Sequence, residues 1–183
     1  GDRIRAYVLE VARESRGPQI ILSRANPNFI KRLFELEVPE VFEHLVEIKK
    51  VVRIAGYKSK VVVVSHDKNI DPVGTCVGVG GTRIKPILKE LSTEKIDVIT
   101  WSDSVETLVK SSLKPAEVNR VQLSDEGTKV MVWVDDDQRS LAIGKQGKNI
   151  YLASQLTGME IELAPSTGTM VEDQEVERLA ERF

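Results

Sequence analysis

Two short segments of this chain have the residue types and spacing to hold a phosphate: Gly78-Val79-Gly80-Gly81 and Gly144-Lys145-Gln146-Gly147, preceded by the aliphatic residues Val77 and Ile143. Glycine permits a sharp reversal with positive φ and lets a backbone come close to a ligand. A helix that starts directly after such a turn offers free N–H groups and the positive end of its dipole, which attract an anion. Basic residues lie alongside, with Arg83 and Lys85 after the first segment and Arg139, Lys145 and Lys148 around the second. Together these features suit a phosphate backbone.

Other glycine chemistries fit less well. A dinucleotide fingerprint requires Gly-x-Gly-x-x-Gly straight after a strand. Counted from Gly78, its last position is Arg83, and the preceding element opens with Pro72. A P-loop needs Lys-Ser or Lys-Thr after its final glycine, which Gly144-Lys145-Gln146 does not supply. A structural helix-turn-helix with glycine caps accounts for one isolated Gly-x-x-Gly. Two copies in one element order point to a ligand instead.

That order is visible in the pattern. Residues 4–11 and 19–22 read as strands joined by a polar turn that ends in Gly17-Pro18, a hairpin too small to stand alone. Asn26-Pro27 opens a helix to about residue 37, and Pro39 opens a second short helix carrying Val41, Phe42 and Leu45. Residues 46–55 and 60–65 are strands, and Asp71-Pro72 starts the short helix before the first glycine segment. Ile84, Ile87, Leu88 and Leu91 mark the helix after it, and residues 96–101 the closing strand.

The second copy repeats strand (129–134), short helix (137–143, with Asp137 as its cap), glycine segment, helix (148–156, stopped at Gly158) and strand (159–163). An offset of 66 places Gly78 on Gly144, Gly81 on Gly147 and Ile84 on Ile150. Residues 104–113 and 115–118 read as its helical preface and 121–123 as its extra strand.

The remaining chemistry-bearing residues form no catalytic constellation. Asp135-Asp136-Asp137 could hold Mg²⁺, but consecutive carboxylates between a strand and a helix suit a cap and a solvated turn, so no metal is expected. His44 falls in a helical apolar stretch and His66 in a loop, while Cys76 reads as a small buried packing residue. No cofactor site emerges.

Composition sets the outer bounds. The 183 residues are 41% hydrophobic, enough for packed cores, with 5% aromatics. No apolar run is long enough to cross a bilayer, and the first residues lack the order of a signal peptide, so no membrane is expected. One cysteine excludes a disulfide framework and fits a reducing cytoplasm. The 26 bases against 28 acids argue, taken as a total, against nucleic acid. The acids Glu172, Asp173, Glu175, Glu177 and Glu181, set against Arg178 and Arg182, however leave −3 on the tail and +1 on the rest.

The two glycine segments, each between helices and followed by a closing strand, resemble the KH domain motif, whose loop clamps about four nucleotides of single-stranded backbone. The extra helix and strand ahead of each motif resemble the type II arrangement. The stretches 69–78, 94–101 and 152–158 are similar to a bacterial family of transcription termination/antitermination factors, in which an OB-fold RNA-binding domain precedes two KH domains. Residues 2–24, with Ile21-Leu22-Ser23-Arg24, resemble the last two strands of that OB fold.

The resemblance implies an α+β chain: residues 1–24 as the end of an OB-fold barrel, two tandem type II KH domains at 25–103 and 104–165, each a three-stranded sheet with helices on one face, and an acidic helix or linker at 166–183. It implies a non-enzymatic monomer that binds nascent single-stranded RNA through residues 78–81, 83–85, 139, 144–148 and 150, with RNA polymerase and other transcription factors as partners of the full-length protein. Ile84 and Ile150 are candidate groove walls as well as core positions, and Arg139 could flank the groove. The first copy departs from the family in having Val79-Gly80 where a basic residue is usual. The alternatives are a fragment of a KH-bearing RNA-processing enzyme or a ribosome-associated KH protein. The order of OB-like strands before two KH copies speaks against the enzyme. The two modules are expected to form one continuous binding surface.

Overall fold

Three antiparallel or mixed sheets and seven helices carry the chain in a computed structural model that describes residues 1, 3–14, 17–124 and 127–165. Two units follow one another, residues 1–101 and the chain from Ser102 onward. The first begins with strands β1 (Tyr7–Glu14) and β2 (Gly17–Ser23), paired with each other alone among the described residues. Both strands run further into the turn than the sequence suggested, since Glu14 still pairs with Gly17; turn residues 15 and 16 lie outside the described residues. Val8, Leu9, Val11, Ile20 and Leu22 are all about half exposed or more. Apolar residues on both faces of a strand pair suit a sheet covered on both sides.

Helix α1 (Pro27–Glu37) starts where Asn26 and Pro27 dictate: the Asn26 side chain accepts the Asn28 N–H at 2.8 Å. Phe29, Ile30, Leu33 and Phe34 recur at helical spacing and are fully buried. Helix α2 (Pro39–Phe42) is shorter than expected. His44 adopts φ +62°, which breaks the helix, so His44 and Leu45 lie beyond it and Phe42 is 70% exposed.

Strand β4 (Lys58–Ser65) is central, antiparallel to β3 (Val46–Ile54) and parallel to β5 (Lys95–Thr100). Parallel neighbours need a crossover of a dozen residues or more. Helix α3 (Pro72–Val77), the first glycine segment and helix α4 (Ile84–Leu91) make that crossover. The topology thus obliges the glycine turn to sit between two helices on the sheet. Val61 and Val63 meet α1, Cys76 and Ile87 in the core.

One buried ion pair braces this unit. Arg53 meets Glu94 through two hydrogen bonds of 2.8 and 2.9 Å, with both side chains at most 3% exposed. Arg53 also donates to the carbonyls of Arg24 and Asn26, tying the hairpin's exit to β3. Burial alone would raise the Glu94 carboxyl, but hydrogen bonds from Arg53, Ser59 and the Gly56 N–H hold it below the ordinary range.

The second unit repeats the plan. Helix α5 (Val105–Ser112) is capped by Ser104, and β7 (Lys129–Trp133) lies between antiparallel β6 (Arg120–Leu123) and parallel β8 (Glu160–Leu163). Helices α6 (Asp136–Ile143) and α7 (Lys148–Thr157) flank the second glycine segment and form the crossover. Val109, Leu113, Val130, Val132 and Ala153 fill its core.

Two expectations need correction. Residues 115–118 are not helical: the chain turns after α5 and continues without regular structure to β6. Asp135, not Asp137, occupies the cap position of α6, and its Oδ1 accepts from the Asn119 side chain at 2.8 Å. The acidic tail at 166–183, expected as a helix or linker, lies outside the described residues. No helix among the described residues is long and apolar enough to cross a membrane.

Candidate nucleic-acid interface

The two glycine turns follow nearly the same backbone path. Gly78 has φ 74°, ψ 158° and Gly144 φ 73°, ψ 176°, a region essentially confined to glycine. Space forbids a side chain as well. A Cβ on Gly78 would stand 2.7 Å from Thr82 Oγ1 and 3.0 Å from the Arg83 N, and one on Gly144 2.6 Å from Asn149 Cβ and 3.0 Å from its N. The turn closes by Gly81 N–H to Gly78 carbonyl at 2.9 Å, and by Gly147 N–H to Gly144 carbonyl at 3.1 Å. At the third position Gly80 has φ 63° and Gln146 φ 54°. Only in the second copy does a residue with a side chain occupy that left-handed conformation.

The side chains around these matching turns differ. Val79 is 92% exposed and Gly80 exposed, so the first turn presents an apolar group and bare backbone. Lys145 and Gln146 are exposed at the same two positions of the second. Lys85 is exposed, and its stem passes Gly81; Lys148 is half-buried. A cleft of about 420 Å³, lined by Asp71, Thr75, Gly78, Val79, Thr82 and Arg83 among others, opens beside the first turn.

Arg83 is paired within its own module. Its guanidinium meets both oxygens of Glu40, at 2.8 and 3.1 Å, and donates to the Thr75 carbonyl at 2.8 Å. Arg139 donates to the Ala164 carbonyl and so anchors the exit of β8. Ile84 and Ile150 are half-buried and pack on their respective cores, each leaving part of its surface exposed.

Three exposed side chains lie near the second turn, Leu141, Ile143 and Tyr151; sequence reading passed over Leu141 and Tyr151 and took Ile143 only as the aliphatic residue before the glycine. At the repeat offset they replace Thr75, Val77 and Lys85. Reading the copies position by position, rather than glycine by glycine, would have found them. Cys76 is fully buried, and burial, with Glu40 nearby, pushes its thiol up to about 12. It is a packing residue, with Ala142 as its counterpart. Among the described residues no group of three or more His, Cys, Asp or Glu side chains could hold a metal.

A Gly-x-x-Gly turn between two helices that link parallel strands, after an antiparallel strand pair, defines a KH domain of type II, and the chain carries two in tandem. A family model described as NusA-like first KH domain matches residues 24–101, and one described as NusA-like second KH domain matches residues 105–170. The chain belongs to the NusA family.

It is 43% identical to the transcription termination/antitermination protein NusA of Rickettsia prowazekii over 100% of this chain and 36% of that protein. With the NusA of Bacillus subtilis identity is 45%, over 91% of this chain and 45% of the relative. With that of Thermus thermophilus it is 44%, over 88% and 42%. The chain thus spans less than half the length of these curated relatives. The solved structure of APE1850 shares the fold, with a TM-score of 0.54 at 21% identity, over 75% of this chain and 97% of that one.

Proposed function

We propose that this chain is the RNA-binding region of a NusA-type factor, holding nascent single-stranded RNA while the longer protein modulates pausing, termination and antitermination by RNA polymerase. The observation that carries this reading is the pair of superimposable glycine turns, each at the start of a helix. RNA phosphates would lie over residues 78–81 and 144–147, where backbone N–H groups and the helix starts face them, with Lys85 at the first turn and Lys145 and Lys148 at the second supplying charge. Bases would lie beside Ile84 and Ile150. Arg83 and Arg139 would act by fixing the framework, since Arg83 is engaged by Glu40 and the Thr75 carbonyl and Arg139 by the Ala164 carbonyl.

In this reading the chain is a cytoplasmic monomer without catalysis, RNA polymerase and other transcription factors are partners of the longer protein, and the hairpin is the end of an OB-type barrel. The relatives' names support the transcriptional role, and the family's KH domains support the ligand.

Fluorescence anisotropy with single-stranded RNA, duplex RNA and duplex DNA tests it. Single-stranded RNA should bind most tightly, and Lys145→Asp/Gln146→Asp or Val79→Asp/Gly80→Asp should weaken it. Unchanged affinity in both folded variants would remove the glycine turns from the site.

A further inference from the structure

At the repeat offset, Arg83 and Asn149 occupy the same place, five residues after the first glycine of each turn. Their chemistry differs, yet they make equivalent connections. Arg83 Nη1 donates to the Thr75 carbonyl of α3 at 2.8 Å, and the amide Nδ2 of Asn149 donates to the Leu141 and Ala142 carbonyls of α6, each at 3.2 Å. Thr75 and Leu141 are themselves equivalent positions. Each side chain also reaches a helix that precedes its module's sheet: Arg83 through Glu40 of α2, Asn149 through the Leu113 carbonyl that ends α5, at 3.0 Å.

The second connection comes at a cost to stability. Asn149 is 4% exposed, and its Oδ1 is buried with no partner among the described residues. Turning the amide over would set that oxygen against three carbonyls, so its orientation is fixed. A buried acceptor left unsatisfied destabilises a fold. An amide at this position therefore serves geometry better than it serves stability.

We propose that Arg83 and Asn149 are positioning residues for RNA: each clamps the helix before the turn, the helix after it and a helix ahead of the module's sheet into one arrangement, and so presets the glycine turn for a nucleic-acid backbone. The inference rests on the RNA-binding reading above. The first clamp works through a charge pair with Glu40, the second through neutral amide donors, so the two can be disabled separately.

The test measures single-stranded RNA affinity and urea midpoints together, at a temperature where circular dichroism shows each variant folded. Asn149→Ala should weaken RNA binding by about tenfold, the scale of one lost buried hydrogen-bonding group. Val132→Ala, a truncation in the core of the same module, should lower the midpoint and leave RNA affinity as in the parent. Glu40→Gln should weaken binding about threefold, near the low end for the net contribution of one ordinary hydrogen bond, and keeps the proposal testable if Asn149→Ala does not fold. Parent-like affinity in Asn149→Ala and in Glu40→Gln would overturn the clamps, as would equal RNA losses in Asn149→Ala and Val132→Ala. A parent chain that binds no RNA would overturn the RNA reading itself.

Discussion

The first glycine turn and the second share a backbone and differ in nearly everything attached to it. Their leading glycines agree within 1° in φ, and both exclude a Cβ. Around them, Val79 and Gly80 correspond to Lys145 and Gln146, Thr82 to Lys148, and Lys85 to Tyr151. Shape and charge are therefore separable contributions, and the second turn carries more of the charge. Bracing differs too. The first module rests on the buried Arg53–Glu94 pair, and the second has Arg120 stacked on Trp133 at 5.0 Å.

The largest expected contrast lies in that bracing. Arg53→Met strands a buried carboxylate and should cost the first module about 3–5 kcal/mol, read by urea unfolding followed through Trp101 in a Trp133→Phe background. Trp133 followed in a Trp101→Phe background should report a smaller change. The same group sets an acid limb. Because the folded Glu94 carboxyl titrates below its unfolded value, its contribution is complete above the ordinary carboxylate range and is lost as pH falls through the folded value. Glu94→Gln should flatten that limb in a pH series of urea midpoints.

Next in size is a test of equal shape. Gly78→Ala and Gly144→Ala should each lose about 2–4 kcal/mol, combining a glycine-only backbone conformation with a steric overlap. A markedly unequal pair of urea midpoints would break the claim of one shared geometry.

Unequal charge is the finer test. Lys145→Ala should raise the dissociation constant for single-stranded RNA several-fold and reduce the salt slope by about 0.7, the value of one phosphate contact. Val79→Lys should do the reverse, and the two effects are measured by anisotropy across a salt series. The smallest effect concerns Cys76, whose thiol stands at about 12. A thiol reagent at pH 8 should leave it unmodified until the chain is unfolded.

Much of this organisation was legible in the sequence because its signals are local. Caps and prolines at Asn26-Pro27 and Asp71-Pro72 placed the helix starts, Gly158 placed a helix end, and the β-branched run 61–64 marked the central strand. The offset of 66 then turned two ambiguous glycine segments into a repeated site. What the sequence hid depended on partners distant along the chain. The pairing of Arg83 was hidden because Glu40, 43 residues away, is invisible to local pattern. Asn149 carried no signal, being an ordinary polar residue on a helix until burial surrounds it with three carbonyls. His44 and residues 115–118 were misread for a related reason: apolar spacing continued past the point where backbone geometry ended the helix.

Gln146 gives the second turn a different significance. Its φ of 54° puts a side chain where the first copy has Gly80, a conformation that costs a non-glycine residue about 1 kcal/mol. Glycine there would relieve the strain without disturbing the path, as Gly80 demonstrates. Gln146→Gly should therefore stabilise the second unit by about 1 kcal/mol, and the change in RNA affinity that accompanies it measures what the Gln146 side chain itself contributes.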